Sequence, residues 1–104
     1  MIDRDRIATL RAEIGEEDLA EVVALFMEEA DESITRLRAA ATPARQAEEL
    51  HFLKGCALNL GFAALAGLCA GGEDRIAAGQ PGAVDADRLA ALFAASRQAF
   101  EEGG

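Results

Sequence analysis

The 104-residue sequence holds no tryptophan or tyrosine, one histidine, two cysteines, two prolines and no long apolar run. Each shortage removes something. No stretch approaches the ~20 apolar residues of a membrane span, and the N-terminal MIDRDRI lacks a signal-peptide core. Basic residues number 10 against 19 acidic ones, for a formal charge of −9. Such a surface repels nucleic acid and anionic membranes, because both need a positive patch. A soluble, cytoplasmic protein is expected, with no nucleic-acid or membrane partner. Cys56 and Cys69 sit in apolar helical patterns, so two buried thiols are favoured over a disulfide. With one histidine beside them, they match no zinc-ligand spacing, and no metal site is expected. Strand formers are scarce.

What is present points to helices. Alanine supplies nearly a quarter of the residues, with abundant leucine, glutamate and arginine. Half of the chain is apolar, enough to close one core, and residues 1–104 read as a single domain. Asp3 can cap a short first helix carrying Ile7, Leu10 and Ile14, ending near Gly15. From about Glu16 to Ala41, the residues Leu19, Val22, Val23, Phe26, Ala30, Ile34, Leu37 and Ala41 form a stripe at steps of three and four. Thr42-Pro43 breaks this helix and starts the next, which runs to Leu60 and closes at Gly61. A further helix runs from Phe62 to Gly79 with Leu65, Cys69, Gly72 and Ile76 inward; Gly71-Gly72 implies a bend or a close neighbour. Gln80-Pro81-Gly82 is a turn, and Asp85 or Asp87 can cap a last helix striped by Leu89, Leu92, Phe93, Ser96 and Phe100. The fold class is all-α: an antiparallel up-down four-helix bundle, with the short extra N-terminal helix covering one end.

The only histidine lies in the helix that starts at Pro43. At ~100° per residue, Leu50, Leu53, Cys56, Ala57 and Leu60 cluster about 140° to 260° away from His51. The core face is therefore opposite His51, which faces solvent. Glu49 falls among those core residues but stands near the helix start, where incomplete burial is expected. Around the imidazole lie Ala44, Ala47, Lys54, Gly55 and Leu58. On so charged a protein, a merely solvated face should carry glutamate, lysine and arginine. Gly55 has a helix-propensity cost, and its benefit is clearance for an approaching molecule. Ala44, Ala47 and exposed Leu58 are candidate docking contacts.

Other chemistries fit poorly. Cys56 points about 140° away from His51, which excludes a Cys–His pair. No G-x-x-x-x-G-K-[ST] loop is present to cradle a nucleotide. An exposed imidazole, largely neutral at pH 7, can still accept a phosphoryl group, which needs a free ring nitrogen and an in-line approach. Lys54, three residues on, can balance charge on that group. Nothing beside it is arranged to activate water, as suits a carrier rather than an enzyme.

The run His51-Phe-Leu-Lys54-Gly55-Cys-Ala-Leu-Asn59-Leu-Gly61 resembles the H-x-[LI]-K-G-[small]-[small]-x-x-x-G signature of histidine phosphotransfer (Hpt) domains. Phe26-Met-Glu-Glu-Ala30, Ile34 and Leu37 look like the family's second-helix pattern, and Leu65, Leu68, Cys69 and Glu73 like its fourth-helix pattern. The likeness covers about residues 16 to 80. It implies that His51 is phosphorylated, that Lys54 assists the phosphoryl group and that Gly55 keeps the face open. The partners it implies are response-regulator receiver domains, which supply their own Mg²⁺, and a sensor (hybrid) histidine kinase. No cofactor is expected on this chain, and a closed acidic bundle is expected to be monomeric. In related chemotaxis-kinase domains a second histidine precedes the fourth-helix glutamate; Ala70 stands there in this chain. With no kinase or coupling segment in the sequence, a free-standing phosphorelay protein is expected. The alternative is a receiver- or kinase-binding inhibitor with the same bundle that is not phosphorylated.

Overall fold

The computed structural model describes residues 2–80 and 84–102. Four helices follow one another: α1 (Arg4–Ala39), α2 (Pro43–Leu60), α3 (Ala63–Ala77) and α4 (Ala86–Glu102). Each packs on its sequence neighbours, and α4 returns to α1, closing an all-α bundle. The break expected at Gly15 is present inside α1, where that residue takes φ 80°, ψ 160°. The piece before Gly15 is the short N-terminal helix of the sequence reading, joined to the longer one without an intervening loop.

Local chemistry explains the boundaries. Asp3 accepts from the Arg6 N–H and Thr42 from the Arg45 N–H, with Pro43 in the first turn of α2. Of the two aspartates that could cap α4, Asp85 does so, accepting from the Arg88 N–H. Asp87 instead pairs with Arg38 across to α1. The end of α2 is a Schellman turn. Gly61 takes φ 74°, its N–H reaches Leu58 O, and the Phe62 N–H reaches Ala57 O. Helix α3 ends the same way two residues before Gly79, with Gly79 bonded to Ile76 O and Gln80 to Arg75 O. It therefore stops short of the expected Gly79, because that glycine is the left-handed cap. Helix α3 runs unbroken through Gly71-Gly72, and Gly72 is buried. The Pro81-Gly82 part of the expected turn lies outside the described residues.

The core is the predicted stripe, extended. Leu10, Leu19, Val23, Ala30, Ile34, Leu37, Leu50, Leu53, Leu60, Leu65 and Phe93 are all buried in one cluster. Met27 joins it and Ser33 is buried as well, whereas Val22 and Phe26 are only half-buried and Ala41, beyond the end of α1 at Ala39, is exposed. Phe62 is fully buried at the α2–α3 corner and meets the rings of Phe93 and Phe100, each centroid 6.3 Å away. The N-terminus closes the same corner. The Asp3 N–H donates to Gly61 O, Ile2 bridges Phe62, and the Arg6 guanidinium donates to Asn59 Oδ1 at 3.0 Å.

Glu49 corrects the sequence reading. It is buried, 7% exposed, on the inner face where the wheel placed it. Two partners make burial tolerable: Arg36 Nε lies 3.1 Å from both carboxylate oxygens, and the Ser33 hydroxyl donates to Oε1 at 3.2 Å. Arg45 adds a longer contact of 3.7 Å. A buried carboxylate costs several kcal/mol unless so matched.

Candidate functional site

Helix α2 holds His51 at mid-length with its core side sealed. Leu50, Leu53, Ala57 and Leu60 are each at most 1% exposed, so the helix cannot rotate without opening the core. The His51 side chain is 75% exposed on the opposite side. Gly55, one turn further on, is half-exposed, and a Cβ built there would meet nothing within 4 Å. Packing within the fold therefore does not require glycine at this position. Leu58 is 56% exposed, Ala44 is exposed and Ala47 is half-buried. Glu48, exposed and three residues before His51, is tied to Arg45 at 2.7 Å.

Lys54 has a partner that the sequence reading did not include. It does not stand free beside the imidazole but leans towards α3, only 25% exposed, with its Nζ 3.0 Å from Glu73 Oε1. This is a contact of charges rather than an aligned hydrogen bond, and among the described residues Oε1 has no hydrogen-bond donor. The other oxygen of Glu73 faces the imidazole, 3.6 Å from His51 Nδ1. That separation is slightly too long for a hydrogen bond, and a small side-chain rotation would close it. One carboxylate thus bridges the lysine and the histidine.

Glu73 had appeared in the sequence only as part of a helix pattern, and its place in the site was missed. A signal existed. Leu65, Cys69, Gly72 and Ile76 mark the inner stripe of α3, and Glu73 stands on its edge, where a charged residue needs a partner. Which partner depends on how α2 and α3 face each other, and a wheel for one helix cannot show that.

Two buried thiols complete the surroundings of α2 and α3. Burial, reinforced by Glu73, pushes Cys69 from an ordinary 9.0 up to about 12, and burial with Glu29 also raises Cys56. Both are free and buried, as expected. Among the described residues no cluster of histidine, cysteine and carboxylate side chains could hold a metal, and no helix is long and apolar enough to cross a membrane.

A family model described as "Hpt domain" matches residues 21–99, which include the second half of α1, all of α2 and α3 and most of α4. No similar curated protein and no similar solved structure was found.

Proposed function

Given that the chain belongs to the Hpt domain family, whose members are phosphocarriers rather than enzymes, we propose that His51 is the atom-bearing centre of a cytoplasmic two-component phosphorelay. A response-regulator receiver domain presents an aspartyl phosphate together with its own Mg²⁺. The lone pair of His51 Nε2 attacks phosphorus in line, an N–P bond forms, and the P–O bond to the aspartate breaks, returning a carboxylate to the receiver. The reverse reaction passes the group to a second receiver, and a sensor (hybrid) histidine kinase feeds the relay. No cofactor on this chain takes part.

The single observation that carries the reading is the exposure of His51 with Nδ1 turned towards Glu73 Oε2. A carboxylate on that side favours the tautomer with the proton on Nδ1, which leaves the Nε2 lone pair directed to solvent. Positive charge that develops on the ring as N–P forms is offset by the same carboxylate. Lys54, already drawn to Glu73, lies within one turn of the ring and can swing its ammonium to the incoming phosphoryl oxygens. Gly55 leaves room for the receiver, and Ala44, Ala47 and Leu58 supply an uncharged contact around it. The catalytic parts belong to the partner, consistent with a face that holds no device for activating water.

Incubation with a phosphorylated receiver tests this. The expected product is an acid-labile, base-stable phosphohistidine on this chain, absent in His51→Gln. Labelling of the variant would refute the assignment. Receiver binding without any label on the unaltered protein would establish the inhibitor instead.

A further inference from the structure

Between α1 and α4, on the side of the bundle that α2 does not reach, an open groove encloses about 660 Å³. Every residue lining it comes from these two helices. The Arg38–Asp87 pair ties the start of α4 to the end of α1. Towards the other end of α4, the facing positions on α1 are the small residues Ala20 and Ala24, both exposed. The floor is apolar, built from Leu19, Val23, Met27 and Phe100.

Two features indicate what would fill it. The first is shape. From Glu16 to Asp31 the groove follows about 22 Å of α1, too long and shallow for a compact ligand and suited to the side of another helix. The second is charge. At the rim Arg11 is neutralised by Glu16 at 2.8 Å and Arg97 by Glu101 at 3.2 Å. Glu28 and Asp31 line the same groove, and among the described residues neither carboxylate has a partner. The uncompensated charge is therefore negative, on a chain that is already −9. A second copy would bring like charge to the seam, whereas a basic segment would be attracted to it.

We propose that this groove docks a cationic amphipathic helix of a partner protein. Apolar anchors spaced i, i+3/i+4 and i+7 enter between Leu19, Val23, Met27 and Phe100, and lysine or arginine side chains meet Glu28 and Asp31. No α2 residue lines the groove, so an occupant there leaves His51 open. The site tethers the chain without competing for the phosphoryl-carrying face, and it stands whether or not His51 is phosphorylated.

The probe is a fluorescent peptide of about 14 residues, built from leucine and lysine at helical spacing. A leucine–glutamate peptide of the same pattern is the control. Titrated against the full chain, the lysine peptide is expected to bind saturably, with amide shifts confined to residues 16–31 and 97–101. Glu28→Lys combined with Asp31→Lys should weaken binding about tenfold or more at unchanged helicity, as removal of charge complementarity requires. Ala24→Trp should fill the groove from its rim and abolish binding. His51→Gln should bind as the unaltered chain does, and phosphotransfer to the charge-reversed variant should be unchanged. The proposal is overturned if shifts spread over all acidic faces, if the double charge reversal leaves affinity unaltered, or if the glutamate peptide binds equally. Sedimentation showing a dimer that Ala24→Trp dissociates would assign the groove to a second copy and overturn it as well.

Discussion

In the proposed phosphotransfer Gly55 sets stability against access to His51, and the two can be measured separately. A glycine inside a helix costs roughly 0.5–1 kcal/mol relative to alanine, through the backbone freedom it loses on folding. That cost is ordinarily tolerated because a neighbour needs the space, but here an added Cβ meets nothing within 4 Å and the φ angle is not left-handed. The carbonyl of Gly55, which accepts from Asn59 Nδ2 at 3.0 Å, does not depend on the side chain. Gly55→Ala should therefore stabilise the protein by about 0.5–1 kcal/mol, raising Tm by about 2–8 °C for a domain of this size. Gly55→Gln, with nearly the helix propensity of alanine, should retain most of the gain while reaching over the face beside His51. Thermal unfolding followed by circular dichroism gives the first quantity. The initial rate of labelling by a phosphorylated receiver gives the second, and it should fall for Gln well below the rate for Ala. A drop in Tm for Gly55→Ala would show that the space is needed by the fold. A wild-type labelling rate for a stabilised Gly55→Gln would show that clearance is not why glycine is there.

Gly61→Ala should act oppositely: φ 74° disfavours any Cβ by about 1–2 kcal/mol, and a Cβ there would stand 2.7 Å from Asp3 O. Its Tm should fall by several degrees or more, and unaltered unfolding would refute the close packing of the N-terminus on the α2–α3 corner. Glu73→Gln should slow labelling of His51 by about tenfold, equivalent to about 1.4 kcal/mol, with Tm changed little. A larger loss in Tm than in rate would make Glu73 a structural residue only. Cys69 holds its proton in the folded state up to about 12, against an ordinary 9.0. The stability it contributes is present below pH 9 and is lost as pH climbs from 9 towards 12. Stability measured across that range should decline, and at pH 8 neither thiol should react with a disulfide reagent until the chain unfolds; rapid native-state labelling would contradict the burial.

The helices and their ends were written in local chemistry. Asp3, Thr42-Pro43, Gly61 and Gly79 act through bonds to residues within a few positions of themselves, so short-range rules sufficed to place them. The outward aspect of His51 was likewise fixed by its own helix, since the apolar spacing of α2 allows only one face inward. Three things were decided only when helices met. Glu49 became a buried ion-pair partner because α1 brings Ser33 and Arg36 opposite it. Lys54 turned from the solvent to Glu73 because α3 packs alongside α2, and the same packing gave His51 a carboxylate at Nδ1. The groove needs two helices, since residues of α1 and α4 line it together. Sequence periodicity carries the direction of a side chain around its own axis, but the distance to a charge on another helix depends on crossing and register, which only the packed structure sets. For this protein the sequence by itself determined which side chain stands on the open face of α2. The tertiary structure decided which charges stand behind that side chain.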